Sequence, residues 1–473
     1  MKKLRFCLVL LAVFAIMGGT AFAYNAADHV KIAPNGEGDL IFFPWYLAAS
    51  GGWQTQITVI NTSNSYSTVA KVVIRSHNWS DELLDFLIYL SPNDVWTGYI
   101  RYGVQGTYIY SDDDSILVNR PSAPMNATTD AATYFASPTN PVSQPFYNVK
   151  CSAASKIDSK TDSTDYGYIE VIEASATTAL GSGKKGKDLV YNWYEYNMIN
   201  GTIVNNGVRV MTPVNILTGY HEFENTTAGS YSALMRAQVF SDWKNISILD
   251  SFATTGIENT GNNSIGELEA AMAKTDIALP YIWKGAAATL HFFTFPTKLS
   301  FGYKDATNST PCDTYGTLLT GSNLFLGKLY SDFWGADSRY PIAKCLPYTS
   351  LGYDLKENTV TTGPFSGGSS TQKICEEMQW IPAYIPGELF TEGWIRYTMG
   401  ADTTFRTATP LGTDPQTYMT GLFHGAPVLA SSLYIRAASV SEADAAWTQK
   451  SVTINSIPAY VYDYYQYADY HNF

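Results

Sequence analysis

The sequence predicts a mostly β protein: a multi-domain β-sandwich of immunoglobulin-like type, with long loops and one or two short helices. Three observations predict it. Over 473 residues, hydrophobic side chains make up 45% and charged ones only 15%, well under the ~25% charged share of an average globular chain. Tyr (34 residues), Thr, Ser, Asn and Gly fill the deficit, and aromatics reach 14%, a balance that suits pleated, half-wet surfaces. Short apolar stretches also recur between polar turn clusters, the spacing of a sandwich.

The elements follow in order. Gln54 to Ile60 (QTQITVI) alternates polar and apolar residues with a period near two, the mark of a half-buried strand. Asn61-Thr62-Ser63-Asn64 ends it as a turn cluster. Val69 to Ser76 is a second strand, and Asp85 to Leu90 (DFLIYL) is nearly continuous apolar, as in a strand covered on both faces. Ser91-Pro92-Asn93-Asp94 is a strong turn, because Pro fixes φ and Asn and Asp tolerate turn geometry. Val95 to Ile100 resumes the strand. Residues 111 to 165 hold Pro121, Pro124, Pro138 and Pro141 among their prolines and a polar run and read as an irregular excursion. Strand character returns at Tyr166 to Glu173, Thr202 to Val214, Ala233 to Phe240, Ala288 to Pro296, Gly393 to Tyr397 and Ser432 to Ala437. Ser264 to Lys274 is the helix: Ser264 caps it, Glu267 closes the capping box, and Leu268, Ala271 and Met272 recur at helical spacing. Residues 301 to 390, rich in Gly, Pro, Ser and Tyr, read as loops with short elements. The expected division is a signal peptide at 1–23, an N-terminal β-sandwich region with long loop insertions at 24–310, and a disulfide-stapled, β-rich region at 311–473.

Residues 1–23 have the three parts of a secretory signal: Lys2, Lys3 and Arg5, the apolar run Phe6 to Met17, and Ala21-Phe22-Ala23. The run is shorter than the ~20 residues of a spanning helix, and no later stretch is long and apolar enough to be one. Cleavage removes three positive charges from a chain already at −12. That charge excludes a basic nucleic-acid-binding face and favours solubility and divalent cations. Cys151, Cys312, Cys345 and Cys375 remain. In an exported chain they predict disulfides, with three pairings open. Neither C-x-x-C nor histidine at ligand spacing supports zinc.

The candidate metal ligands are Asp112, Asp113 and Asp114, with Asp158, Asp162 and Asp165. Calcium takes 6–8 oxygens, and loops with several Asp supply them. No other cofactor is expected. Gly181 to Lys187 fits G-x-G-x-x-G literally but lacks the strand–loop–helix context, so it reads as a Lys-rich loop. Glu376 and Glu377 are adjacent and point to opposite sides of a strand, which predicts surface charge. The six histidines are scattered, and neither H-E-x-x-H nor G-x-S-x-G occurs. The expectation is that the chain is not an enzyme.

Thr58-Val59-Ile60-Asn61-Thr62-Ser63, the run Tyr89 to Thr97 (YLSPNDVWT), Gly167 to Glu173 (GYIEVIE) and Thr294 to Lys298 (TFPTK) resemble phrases of an uncharacterised family of exported bacterial surface proteins. The resemblance implies an exported, sandwich-like protein and no catalytic residue. The composition is also similar to that of S-layer subunits. Together these predict a secreted cell-surface structural protein that self-assembles as a homo-oligomer or lattice at the cell envelope, with calcium between acidic loops. Two alternatives stand beside it. One is a carbohydrate- or surface-binding adhesin, since Tyr and Trp stack on sugar faces. The other is an outer-membrane β-barrel, which the broken alternation before Phe473 disfavours.

Overall fold

The computed structural model describes residues 30–77, 80, 82–104, 106–118, 134–146, 164–178, 210–211, 213–226, 230–243, 264–283, 287–297, 346–356, 359–360, 372–374, 376–383, 391–399, 404–406, 409–410, 418–419, 422–424 and 426–436. The signal segment, the four cysteines, Asp158, Asp162 and the Gly181–Lys187 loop lie outside the described residues.

The chain is mostly β and forms a multi-domain sandwich of antiparallel sheets. Its first strands are β1 (Lys31–Ile32), β2 (Leu40–Leu47), β3 (Trp53–Asn61), β4 (Tyr66–Ser76), β5 (Glu82–Leu90), β6 (Val95–Gly103), β7 (Gly106–Ser111), β8 (Val142–Pro145), β9 (Tyr166–Thr178), β10 (Val210–Met211), β11 (Leu217–Asn225), β12 (Ser230–Arg236) and β13 (Gln238–Ser241). Sheet I has seven strands in the order β1-β13-β2-β9-β4-β5, with β10 beside β9; sheet II has six, β12-β11-β3-β6-β7-β8. These counts exceed the seven strands that an immunoglobulin constant-type fold divides between two sheets. The prediction therefore holds at the level of a β-sandwich. No described sheet closes on itself.

Ile41, Phe43, Val72, Ile74, Ile169 and Val171 of sheet I meet Ile57, Val59, Trp96, Ile100 and Ile109 of sheet II in one core. The other face of sheet I carries Leu40, Phe42, Leu87, Tyr89 and Ile172, covered by Leu268 and Met272. Those two belong to helix α1 (Ser264–Met272), the helix that the sequence predicts. Glu267 accepts from Val30 N at 2.9 Å, so the helix start is tied to β1. Being covered on both sides is why β2 is buried throughout and β4 nearly so, with no alternation.

The chain continues through β14 (Ala273–Lys274), β15 (Asp276–Ile282), β16 (Ala287–Thr294), β17 (Leu346–Asp354), β18 (Thr359–Val360), β19 (Gln372–Ile374), β20 (Met378–Pro382) and β21 (Glu392–Met399). The short β22 (Thr404–Arg406), β23 (Thr409–Pro410), β24 (Tyr418–Met419), β25 (Leu422–His424) and β26 (Ala426–Pro427) precede β27 (Leu429–Arg436). Sheet III runs β15-β21-β17-β18 with β19 on β17, and sheet IV runs β20-β16-β27. Ile277, Leu279, Tyr281, Ile395, Tyr397 and Met399 of sheet III share a core with Leu290, Phe292 and Leu433 of sheet IV and with Trp45, Trp53 and Phe223 of the first sandwich. Strands β15 and β16, which precede residue 310, pair with β20, β21 and β27, which follow it.

Two sequence readings need correction. Ala233 to Phe240 is not one strand: β12 lies in sheet II and β13 in sheet I. The chain crosses between the sheets at Ala237, whose N–H bonds Gly219 O. Residues 301–390, read as loops with short elements, include the nine-residue β17; its mixed, Pro- and Gly-containing sequence hides it.

The quoted phrases are the joints of this frame. Asn61 N bonds Asp94 O, Asn93 N bonds Ser63 O, and the Asn61 amide donates to Tyr66 O and Ser91 O, each at 2.8–2.9 Å. Asn93 has a left-handed φ of 57°, which the turn between β5 and β6 requires. Trp96 is fully buried, and a Cβ on Gly98 would lie 2.5 Å from its ring. Glycine is therefore needed beside it.

Candidate functional site: a tyrosine-rich sheet face

Alternation on β11, β6 and β7, with the more deeply buried β3 between them, builds a polar aromatic surface. In β11 every second residue is buried, from Leu217 to Asn225, and β6 and β7 alternate over most of their length. The inward residues feed the cores, so Tyr220, Glu222 and Glu224, Gln56, Tyr99 and Arg101, and Tyr108 and Tyr110 lie on the outer face, together with Gln54, which its neighbours bury. Register aligns them in two rows. One row is Glu222, Gln56, Tyr99 and Tyr110; the next is Glu224, Gln54, Arg101 and Tyr108.

The side chains are braced against one another. The Arg101 guanidinium carbon lies 4.7 Å from the Tyr99 ring centre and 4.4 Å from that of Tyr110, inside the ~6 Å range of cation–π attraction. The two rings are 6.4 Å apart and tilted by 52°. Arg101 Nε donates to Gln54 Oε1 at 2.7 Å, and Gln54 Nε2 donates to Glu224 Oε1. Partial burial, then the Glu224 charge, pushes the Tyr99 phenol above its ordinary range, so it stays a neutral donor. Partial burial and Glu224 also raise the Glu222 carboxyl. The face thus offers aromatic planes, amide and carboxylate acceptors, and a fixed cation.

No family model, curated protein or solved structure matches the chain. Its reading therefore rests on its own geometry.

The structure separates the acidic candidates that it describes. Asp113 follows β7: its carboxylate accepts from Thr97 N at 3.2 Å and Ser115 N at 2.9 Å, as the cap of a turn. Burial raises its carboxyl. Asp165 accepts from the Thr107 hydroxyl at 2.9 Å, at the opposite end of β7. These two therefore do not share a site. Asp112 and Asp114 flank the Asp113 turn.

Glu376 and Glu377 overturn the surface reading. Glu377 is fully buried, and Glu376 Oε2 lies 3.0 Å from His77 Nδ1, both largely shielded. His77 also stacks on Tyr166 at 3.9 Å, and its carbonyl accepts Met378 N at 2.9 Å. Both glutamates lie in the bend just before β20, a strand buried along its whole length. Nearby, Arg75 reaches Glu170 at 3.4 Å and Ser80 O at 3.2 Å, while Tyr168 donates to the Ser80 hydroxyl at 2.8 Å. This polar seam joins the two sandwiches.

His291 and His221 are structural. His291 bonds Tyr397 OH at 2.8 Å and Pro280 O at 2.9 Å, and burial lowers its pKa to about 4. His221 is enclosed by Phe43 and Trp45, and burial lowers its pKa to about 3. Both are neutral at physiological pH.

Proposed function

We propose that this chain is an exported cell-surface protein that binds carbohydrate through the outer face of sheet II. The observation that carries the reading is the Tyr99–Arg101–Tyr110 cluster braced by Gln54 and Glu224. Sugars offer apolar C–H faces and a rim of hydroxyls. Tyrosine rings stack on the first with little rotamer entropy to lose, and amides, carboxylates and guanidinium bond the second. Holding these groups before the ligand arrives lowers the cost of ordering them. The two rows cross four strands at about 4.8 Å each, an elongated footprint suited to an oligosaccharide rather than a compact pocket ligand.

The test is a glycan array probed with the mature chain, followed by calorimetry on the best binder. Selective retention is expected, and Tyr99→Ala and Tyr110→Ala should each weaken it by at least ~10-fold with unchanged circular dichroism. An array without selective signal, or binding that both variants retain, contradicts the reading.

A further inference from the structure

The outer face of sheet III is built from different chemistry. Its central row is Pro280, Trp394 and Tyr353, aligned by register across β15, β21 and β17. Trp394 and Tyr353 stack at 3.9 Å with planes 7° apart. Trp394 and Ile282 are exposed, at 36% and 37%, and Ala278 and Pro280 are exposed beside them. Among the described residues, one ion pair borders the apolar centre: Arg396 Nε lies 2.8 Å from Asp276 Oδ1, both exposed, and Thr398 donates to the same oxygen at 2.7 Å; Glu392, opposite Ile282 in register, adds a carboxylate to the same face.

We propose that this face is where two copies of the chain associate. Three features select a second copy as the occupant. A chain at −12 repels itself over most of its surface, whereas on this face Arg396 offsets one of the two carboxylates, Asp276 and Glu392. A two-fold axis through the apolar row sets each Arg396 towards the other copy's Asp276, exchanging the pair within one chain for a self-complementary contact between two. Strand β15 is an edge of sheet III, but its Pro280 lacks the N–H that edge-to-edge addition uses. Association through the face, one sheet packed on another, remains. The trait that the composition suggests, self-assembly, thereby gains a surface separate from the tyrosine-rich face of sheet II.

Sedimentation velocity of the mature chain over a concentration series tests this. Reversible dimers are expected. Trp394→Ser with Tyr353→Ser should raise the dimer dissociation constant at least ~10-fold, because both side chains lie at the centre of the contact. Arg396→Glu and Asp276→Lys should each weaken self-association, and mixing the two variants should restore dimers. The Tyr110→Ala chain should dimerise like wild type, which keeps this result separate from glycan binding. A wild-type chain that stays monomeric throughout, or dimers that survive the double substitution, overturn the proposal. A mixture of the charge variants that associates no better than either alone also overturns it.

Discussion

Trp45 lies against Phe292 with ring centroids 4.9 Å apart and planes 21° apart, and this stack is the seam between the two sandwiches. It depends on an irregularity in β2. The β2–β9 register shifts between Phe43 and Tyr46, around Pro44, a residue that sheets accept at bulges. The freed Pro44 carbonyl accepts the Thr294 hydroxyl from β16. The bulge turns Trp45 away from the first core and into the second.

Trp45→Ala should therefore destabilise the chain by about 3–5 kcal/mol, the usual loss for a buried large aromatic. It should also uncouple the sandwiches. Denaturant unfolding followed by fluorescence and by circular dichroism should give separate midpoints in the variant.

Gly167→Ala should be severe for its size. The added Cβ would sit 1.9 Å from Arg75 O and 2.9 Å from the Tyr46 ring. Two central strands must part to admit it, at a cost of about 1–3 kcal/mol, read as a fall in denaturation midpoint.

Arg75→Met removes the cation beside buried Glu170 and the donor to Ser80 O. Breaking one side of a buried pair costs about 3–5 kcal/mol. Adding Glu170→Leu should recover much of that loss. A double variant no more stable than Arg75→Met alone would mean that the pair is not the source of the effect.

Stability should depend on pH through Glu173. Its carboxyl is fully buried, accepts Val214 N and Asn215 N at 3.2 and 3.1 Å, and has Asp39 nearby. Burial first, then the Asp39 charge, raises its pKa from 4.5 to about 8. Below the unfolded value both states are protonated and the contribution is complete. As pH rises towards 8 the unfolded chain releases a proton that the folded chain holds, so stability falls. Thermal melts should show midpoints dropping across that window, and Glu173→Gln should flatten the slope.

Much of the frame is legible in the sequence, because alternation and turn residues are local signals. QTQITVI, DFLIYL and the Ser91–Asp94 turn lie in β3, β5 and the β5–β6 turn. Strand β2 (LIFFPWYL) escapes that reading, because it is covered on both faces and carries a bulge proline. The Glu376–Glu377 burial is equally illegible: it comes from residues that lie 299 positions from His77 in sequence. The tyrosine-rich face stands in between. Its strand β11, LTGYHEFEN, alternates throughout and carries a readable period-two signal. Its alignment with β3, β6 and β7 is a matter of register, which no single strand encodes.

Carbohydrate binding by the outer face of sheet II is tested most directly by probing a glycan array with the wild-type mature chain beside Tyr110→Ala. Selective glycan retention by the wild type that the variant loses, at equal thermal stability, is the predicted result. Equal signals from both chains, or none from either, would contradict it.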